Sequence, residues 1–129
     1  AEAPVVMNED TVLKAPATLD ISVLKELVGG HERLIEELLQ DYYRSAMHHQ
    51  KTIREAWQAG DLEDVCALAH TLKSSSFSVG AQALGTLCEQ LELEASRMDK
   101  SAMAKVMPAL IDEINTVLDL IRTRLGYTV

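Results

Sequence analysis

Residues 31–60, HERLIEELLQDYYRSAMHHQKTIREAWQAG, decide the fold. Leu34, Leu38, Tyr42, Ala46, Ile53 and Trp57 recur at steps of four or seven, which at about 100° per residue gathers them along one side of a helix. No proline interrupts the run, and Gly60 supplies the left-handed residue on which such a helix ends. Upstream, Asp20 or Thr18 can cap a short helix carrying Ile21, Leu24 and Leu27, which Gly29-Gly30 closes. Downstream, Asp61 can cap a third helix from Leu62 to Val79, with Leu62, Val65, Ala69, Leu72, Ser76 and Val79 toward the core and Gly80 as its stop. A fourth runs from Ala81 to about Met98 through Leu84, Leu87, Cys88, Leu91, Ala95 and Met98. A fifth carries Met103, Val106, Met107, Leu110, Ile114, Val117, Ile121 and Leu125 and ends at Gly126. Pro108 predicts a kink or a break in it near Met107.

Four long amphipathic helices joined by loops of a few residues must lie antiparallel, because a short loop cannot carry the chain back along the bundle. The fold is therefore expected to be all-α, an antiparallel up-and-down four-helix bundle with a short N-terminal capping helix. Residues 1–18, AEAPVVMNEDTVLKAPAT, hold two Ala-Pro pairs and no sustained period, and read as a linker or flexible N-terminal arm. Residues 19–129 form the bundle domain.

Composition agrees. A chain of 129 residues with 47% apolar content can build one core, and aromatics at 4%, 3 Pro and 6 Gly leave few strand or turn formers. The balance of 12 Lys plus Arg against 20 Asp plus Glu, −8 overall, argues against binding nucleic acid or anionic lipid. No stretch approaches the ~18 apolar residues of a membrane span, and no secretory signal is present, which implies a cytoplasmic setting. Cys66 and Cys88 lie in apolar periodic segments and read as buried thiols.

One segment is unlike bundle filler: Ala69-His70-Thr71-Leu72-Lys73-Ser74-Ser75-Ser76-Phe77-Ser78-Val79-Gly80-Ala81. On the third helix His70 falls about 130° from the centre of the apolar face and so points to solvent. Cys66, Ala67, Lys73 and Ser74 lie one turn away. Imidazole is a usable nucleophile near neutral pH, since its ordinary pKa of about 6.5 leaves the free base populated. Lys73 can attract a phosphoryl group and offset its charge, and Ser74 and Ser75 can donate hydrogen bonds to its oxygens. A surface His beside a surface Lys, both merely solvated, fits the geometry equally well.

The run AHTLKSSSFSVGA resembles the signature of histidine phosphotransfer (HPt) domains of multistep phosphorelays, in which Ala-His-x-Leu-Lys is followed by small residues and then Gly-Ala. Leu84, Leu87-Cys88 and Leu91-Glu92 match the family's downstream rhythm, and Ala59-Gly60-Asp61 matches the turn before the His helix. The resemblance spans about residues 19–125. It implies that His70 takes a phosphoryl group from an aspartyl phosphate on a response-regulator receiver domain and passes it to another receiver's aspartate. It also implies that the receiver supplies Mg²⁺, that this chain needs no cofactor or metal of its own, and that it acts as a monomer. Lys73 and Ser74 would serve the transferred group, and Ala67, Phe77 and Val79 would serve docking. Ser74 stands where many members have Gly, so its hydroxyl is expected to alter phosphohistidine geometry or lifetime. No Gly-rich phosphate loop of Walker or kinase type is present, so the chain should carry phosphate without binding ATP.

The alternatives are a non-catalytic helical interaction or scaffold domain and the phosphoacceptor module of a chemotaxis-type kinase. The Ala-Pro arm favours a C-terminal module of a membrane-anchored hybrid sensor kinase over a free-standing protein. His31, His48 and His49 lack ligand spacing and read as solvated. Because a receiver's own site is acidic, the His70 face is expected to be locally neutral or basic, with most excess carboxylates elsewhere.

Overall fold

In the computed structural model, which describes residues 17–127, five helices follow one another: α1 (Ile21–Val28), α2 (Glu32–Ala59), α3 (Leu62–Ser78), α4 (Gln82–Ser96) and α5 (Lys100–Leu125). Each long helix packs against two others, closing the ring α2–α3–α4–α5–α2, and α1 rests on α2. The described residues contain no strand.

The helix ends follow local chemistry. Asp61 accepts from the Asp64 N–H at 3.1 Å and starts α3, and Asp99 accepts from the Ala102 N–H at 3.0 Å and starts α5. Asp20 caps α1 through the Ser22 N–H. The α3–α4 turn requires Gly80: its φ is +86°, and a Cβ there would lie 2.0 Å from the Asp20 carbonyl oxygen. The Asp20 N–H donates to the Gly80 carbonyl at 2.8 Å, which seats the start of α1 on this turn.

Three core positions on α2 differ from expectation. Ile35, Leu39, Tyr42, Ala46, Ile53 and Ala56 are buried, while Leu34 is 44% exposed and Leu38 and Trp57 are half-buried. Repeated steps of four drift about 40° per turn, whereas alternating fours and threes stay on one line, and only the series from Ile35 does that. On α4 the helix stops at Ser96, short of Met98. Met98 takes φ 56°, the left-handed position a glycine usually fills, and is 62% exposed instead of buried. The fifth helix runs unbroken through Pro108, which is exposed, as is Ala104, whose carbonyl loses its partner there.

Of the expected N-terminal arm, residues 1–16 lie outside the described residues. Ala17 is tied to the start of α4, its carbonyl accepting from the Ala83 N–H at 2.9 Å.

Candidate functional site

The site rests on the α3–α4 contact, the most extensive in the bundle. Ala69 and Ser76 on α3 and Gly85, Cys88 and Ala95 on α4 are all buried and all small, which lets the two backbones approach. Ser76 is the buried polar residue of the core, and it shares a 2.7 Å hydrogen bond with the Tyr42 hydroxyl, tying α3 to α2 from behind. The helix that bears His70 is therefore held on both sides.

His70 stands out from this platform with its side chain 61% exposed. Its Nδ1 lies 2.8 Å from Glu92 Oε2, and Lys73 Nζ lies 2.8 Å from Glu92 Oε1, so each carboxylate oxygen takes one donor. An ionised carboxylate only accepts, so the proton of the neutral imidazole sits on Nδ1 and the Nε2 lone pair is left free. The hydrogen bond from Lys73 holds the Glu92 carboxyl below the usual carboxylate range, with His70 adding to the effect against some desolvation. The same hydrogen bond holds the Lys73 ammonium above its ordinary value.

Glu92 is the residue that sequence reasoning missed. It appears within the Leu91-Glu92 rhythm, but 22 residues and a turn separate it from His70, and only the register of two packed helices brings them together.

The other expected site residues divide. Ala67 is exposed and lines a cleft of about 660 Å³ beside the imidazole, together with Glu63, Cys66, Ala95, Ser96 and Met98. Ser74 is exposed, and its hydroxyl donates to the His70 carbonyl at 3.4 Å. Phe77 is 40% exposed and lies against Gly85. Val79, expected at the docking surface, is 5% exposed because it closes the buried stripe of α3, and a partner cannot reach it.

Cys88 is buried, and burial pushes its thiol up to about 12. Cys66 is only half-buried, with Sγ donating to the Glu92 carbonyl at 3.6 Å, so the expectation of two buried thiols holds for Cys88 alone. Among the described residues no three His, Cys, Asp or Glu side chains converge on a metal position.

The polarity of the face also differs from expectation. Lys73 is already paired, and Glu63, Glu89 and Glu92 line the two clefts flanking the α3–α4 seam. Three carboxylates and one ammonium line these clefts. The carboxylate that buttresses His70 is part of that acidity, so the two cannot be separated.

A helical bundle that holds an imidazole in solvent, with its inner nitrogen on a carboxylate and an ammonium alongside, is suited to carrying phosphoryl groups. The sequence model of the Hpt domain matches residues 37–123, a span that includes His70, Lys73 and Glu92. The chain belongs to the Hpt domain family, and its function is histidine phosphotransfer in phosphorelay signalling, with receiver domains as partners. Its fold is similar to the crystal structure of histidine-containing phosphotransfer protein B (HptB) from Pseudomonas aeruginosa PAO1. The TM-score is 0.78 and the identity 24%, over 89% of this chain and 100% of that one. No curated protein sequence matches the chain. Among the described residues no helix is long and apolar enough to cross a membrane.

Proposed function

We propose that His70 is the phosphoacceptor and that it reacts through Nε2. A receiver's aspartyl phosphate approaches the exposed edge of the ring, and the Nε2 lone pair attacks phosphorus. The bond between phosphorus and the aspartyl oxygen breaks, and its electron pair returns to the receiver's carboxylate. The imidazole is then cationic, carrying the phosphoryl group on Nε2 and a proton on Nδ1, and the Glu92 carboxylate offsets that charge. Discharge is the reverse, with an acceptor aspartate attacking phosphorus and the N–P bond breaking. Glu92 is a positioning residue, since it acts through the imidazole.

Lys73 is the nearest cation to the incoming group, and it can turn part of its hydrogen bonding from Glu92 to a phosphoryl oxygen. Ser74 offers a hydroxyl on the same side. The Mg²⁺ that phosphoryl transfer calls for comes from the receiver's acidic pocket, and docking uses Ala67 and Phe77. The chain works as a monomer in the cytoplasm, without nucleic acid or membrane contact of its own.

The observation that carries this reading is the 2.8 Å contact from His70 Nδ1 to Glu92 on a ring that stays 61% exposed. The test is incubation with ³²P-phosphorylated receiver domains, following label that is acid-labile and base-stable. The wild type is expected to take up label and His70→Gln none. A wild type that takes up none from any receiver leaves the reading of a non-catalytic helical interaction domain. Equal labelling of His70→Gln moves the phosphoacceptor elsewhere.

A further inference from the structure

Gly85 sits inside α4, where alanine is the better helix former and no unusual backbone angle calls for glycine. What it meets is the ring of Phe77. A Cβ at position 85 would lie 2.6 Å from Cε1, 2.7 Å from Cδ1 and 2.8 Å from Cζ of that ring, closer than real side-chain contacts allow. The ring thus lies down on α4 in the space the missing side chain leaves, yet Phe77 remains 40% exposed.

Its location gives that exposure meaning. Seven residues after His70, Phe77 lies about 10.5 Å further along α3 and within about 20° of the same face. An interface of ordinary size covers roughly 800 Å² per partner, a disc of about 16 Å radius. Any receiver docked with its aspartate at His70 Nε2 therefore covers the Phe77 ring. With the ring lying against Gly85, the surface beside His70 stays low and apolar. With a Cβ at position 85 the ring must rotate away from α4, into the space the receiver occupies.

We propose that Gly85 is a positioning residue for receiver docking, acting through Phe77 by keeping its ring recessed in the face that meets the partner. This rests on the phosphocarrier reading above.

The experiment measures transfer kinetics from the receiver that labels the wild type in the assay already described, comparing Gly85→Ala, Phe77→Ala and the double variant. Gly85→Ala is expected to raise KM for the receiver about tenfold, with kcat within about twofold and the hydrolysis rate of isolated phosphohistidine unchanged. Phe77→Ala is expected to raise KM about threefold through the lost apolar contact. The double variant is expected to match Phe77→Ala alone, because without the ring the added methyl has nothing to displace. Wild-type KM in Gly85→Ala, or a double variant whose penalty is the product of the two, overturns the proposal. If Gly85→Ala does not fold, the double variant decides, since it removes the clash and must match Phe77→Ala. Failure of every receiver to label the wild type overturns the phosphocarrier reading and this proposal with it.

Discussion

His49 and His70 both lie on long helices, and each holds Nδ1 2.8 Å from an oxygen. For His49 that oxygen is the Ser45 carbonyl of its own helix, one turn back, and the ring is half-buried against α2. For His70 it is a carboxylate from a neighbouring helix, and the ring projects between the two. A carbonyl fixes a tautomer as well as a carboxylate does. It brings no full charge to meet an imidazolium, and a partner on the same helix pulls the ring down onto that helix. The contrast shows that a paired nitrogen alone does not make a phosphoacceptor. The charge of the partner and its origin on a second helix make the difference.

The largest effect in this comparison should come from making the His70 partner resemble that of His49. Glu92→Gln keeps an acceptor at Nδ1 and removes its charge. Charge-assisted hydrogen bonds exceed neutral ones by about 1.4 kcal/mol, so phosphoryl transfer to His70 should slow roughly tenfold. His49→Ala, which removes the other paired imidazole, should leave the rate unchanged. Rapid-quench transfer from a labelled receiver checks both, and a Glu92→Gln rate within twofold of the parent removes Glu92 from the mechanism.

Lys73 has no counterpart beside His49, and Lys73→Ala should shorten the phosphohistidine lifetime about threefold, as expected for losing one half-buried, partly screened cation near the phosphoryl group. Helical circular dichroism at neutral pH should hold and the melting temperature should fall only slightly, by about 2 °C, because an ion pair at the edge of the bundle stabilises the fold little. The pH dependence has a definite sign. The folded pKa of Glu92 is lowered, so its stabilising contribution is complete above the ordinary value of about 4.3 and is lost as pH falls through the folded value. That of Lys73 is raised, so its contribution is complete below about 10.4 and is lost as pH rises through the folded value. Acid titrations of the parent and Lys73→Ala followed by melting should diverge above pH about 4.3 and converge below the folded pKa of Glu92.

Much of this was legible before any coordinates. Glycines at 29–30, 60 and 126 cap three helices where they predict, and α3 ends one residue early, at Ser78, with Val79 as its cap before Gly80. The exposure of His70 follows from its angle to Val65, Ala69 and Leu72, a property of one helix. Failures begin where two helices must be set against each other. The α2 stripe from Leu34 and the one from Ile35 both look apolar over their first turns, and only packing against α3 and α5 selects the second. Glu92 reaches His70 through the α3–α4 register, which no spacing along the chain encodes. Lys73 looked free for the phosphoryl group because its partner was out of view.

The smallest effect concerns Ser74. Its hydroxyl reaches the His70 carbonyl at 3.4 Å, beyond the ordinary O–H···O range of about 2.5–3.0 Å, so little holds it there. It can turn to a phosphoryl oxygen at small cost. Ser74→Gly should then shorten the phosphohistidine lifetime about twofold, less than the loss of one neutral hydrogen bond of roughly 1 kcal/mol. Glycine inside a helix should also destabilise the bundle by about 0.5 kcal/mol relative to serine, a drop in melting temperature of roughly 2 °C. The two readouts separate the roles, because a purely structural serine changes the melting temperature and leaves the lifetime at its parental value. That outcome would assign the phosphoryl oxygens to Lys73 alone among the residues one turn from His70.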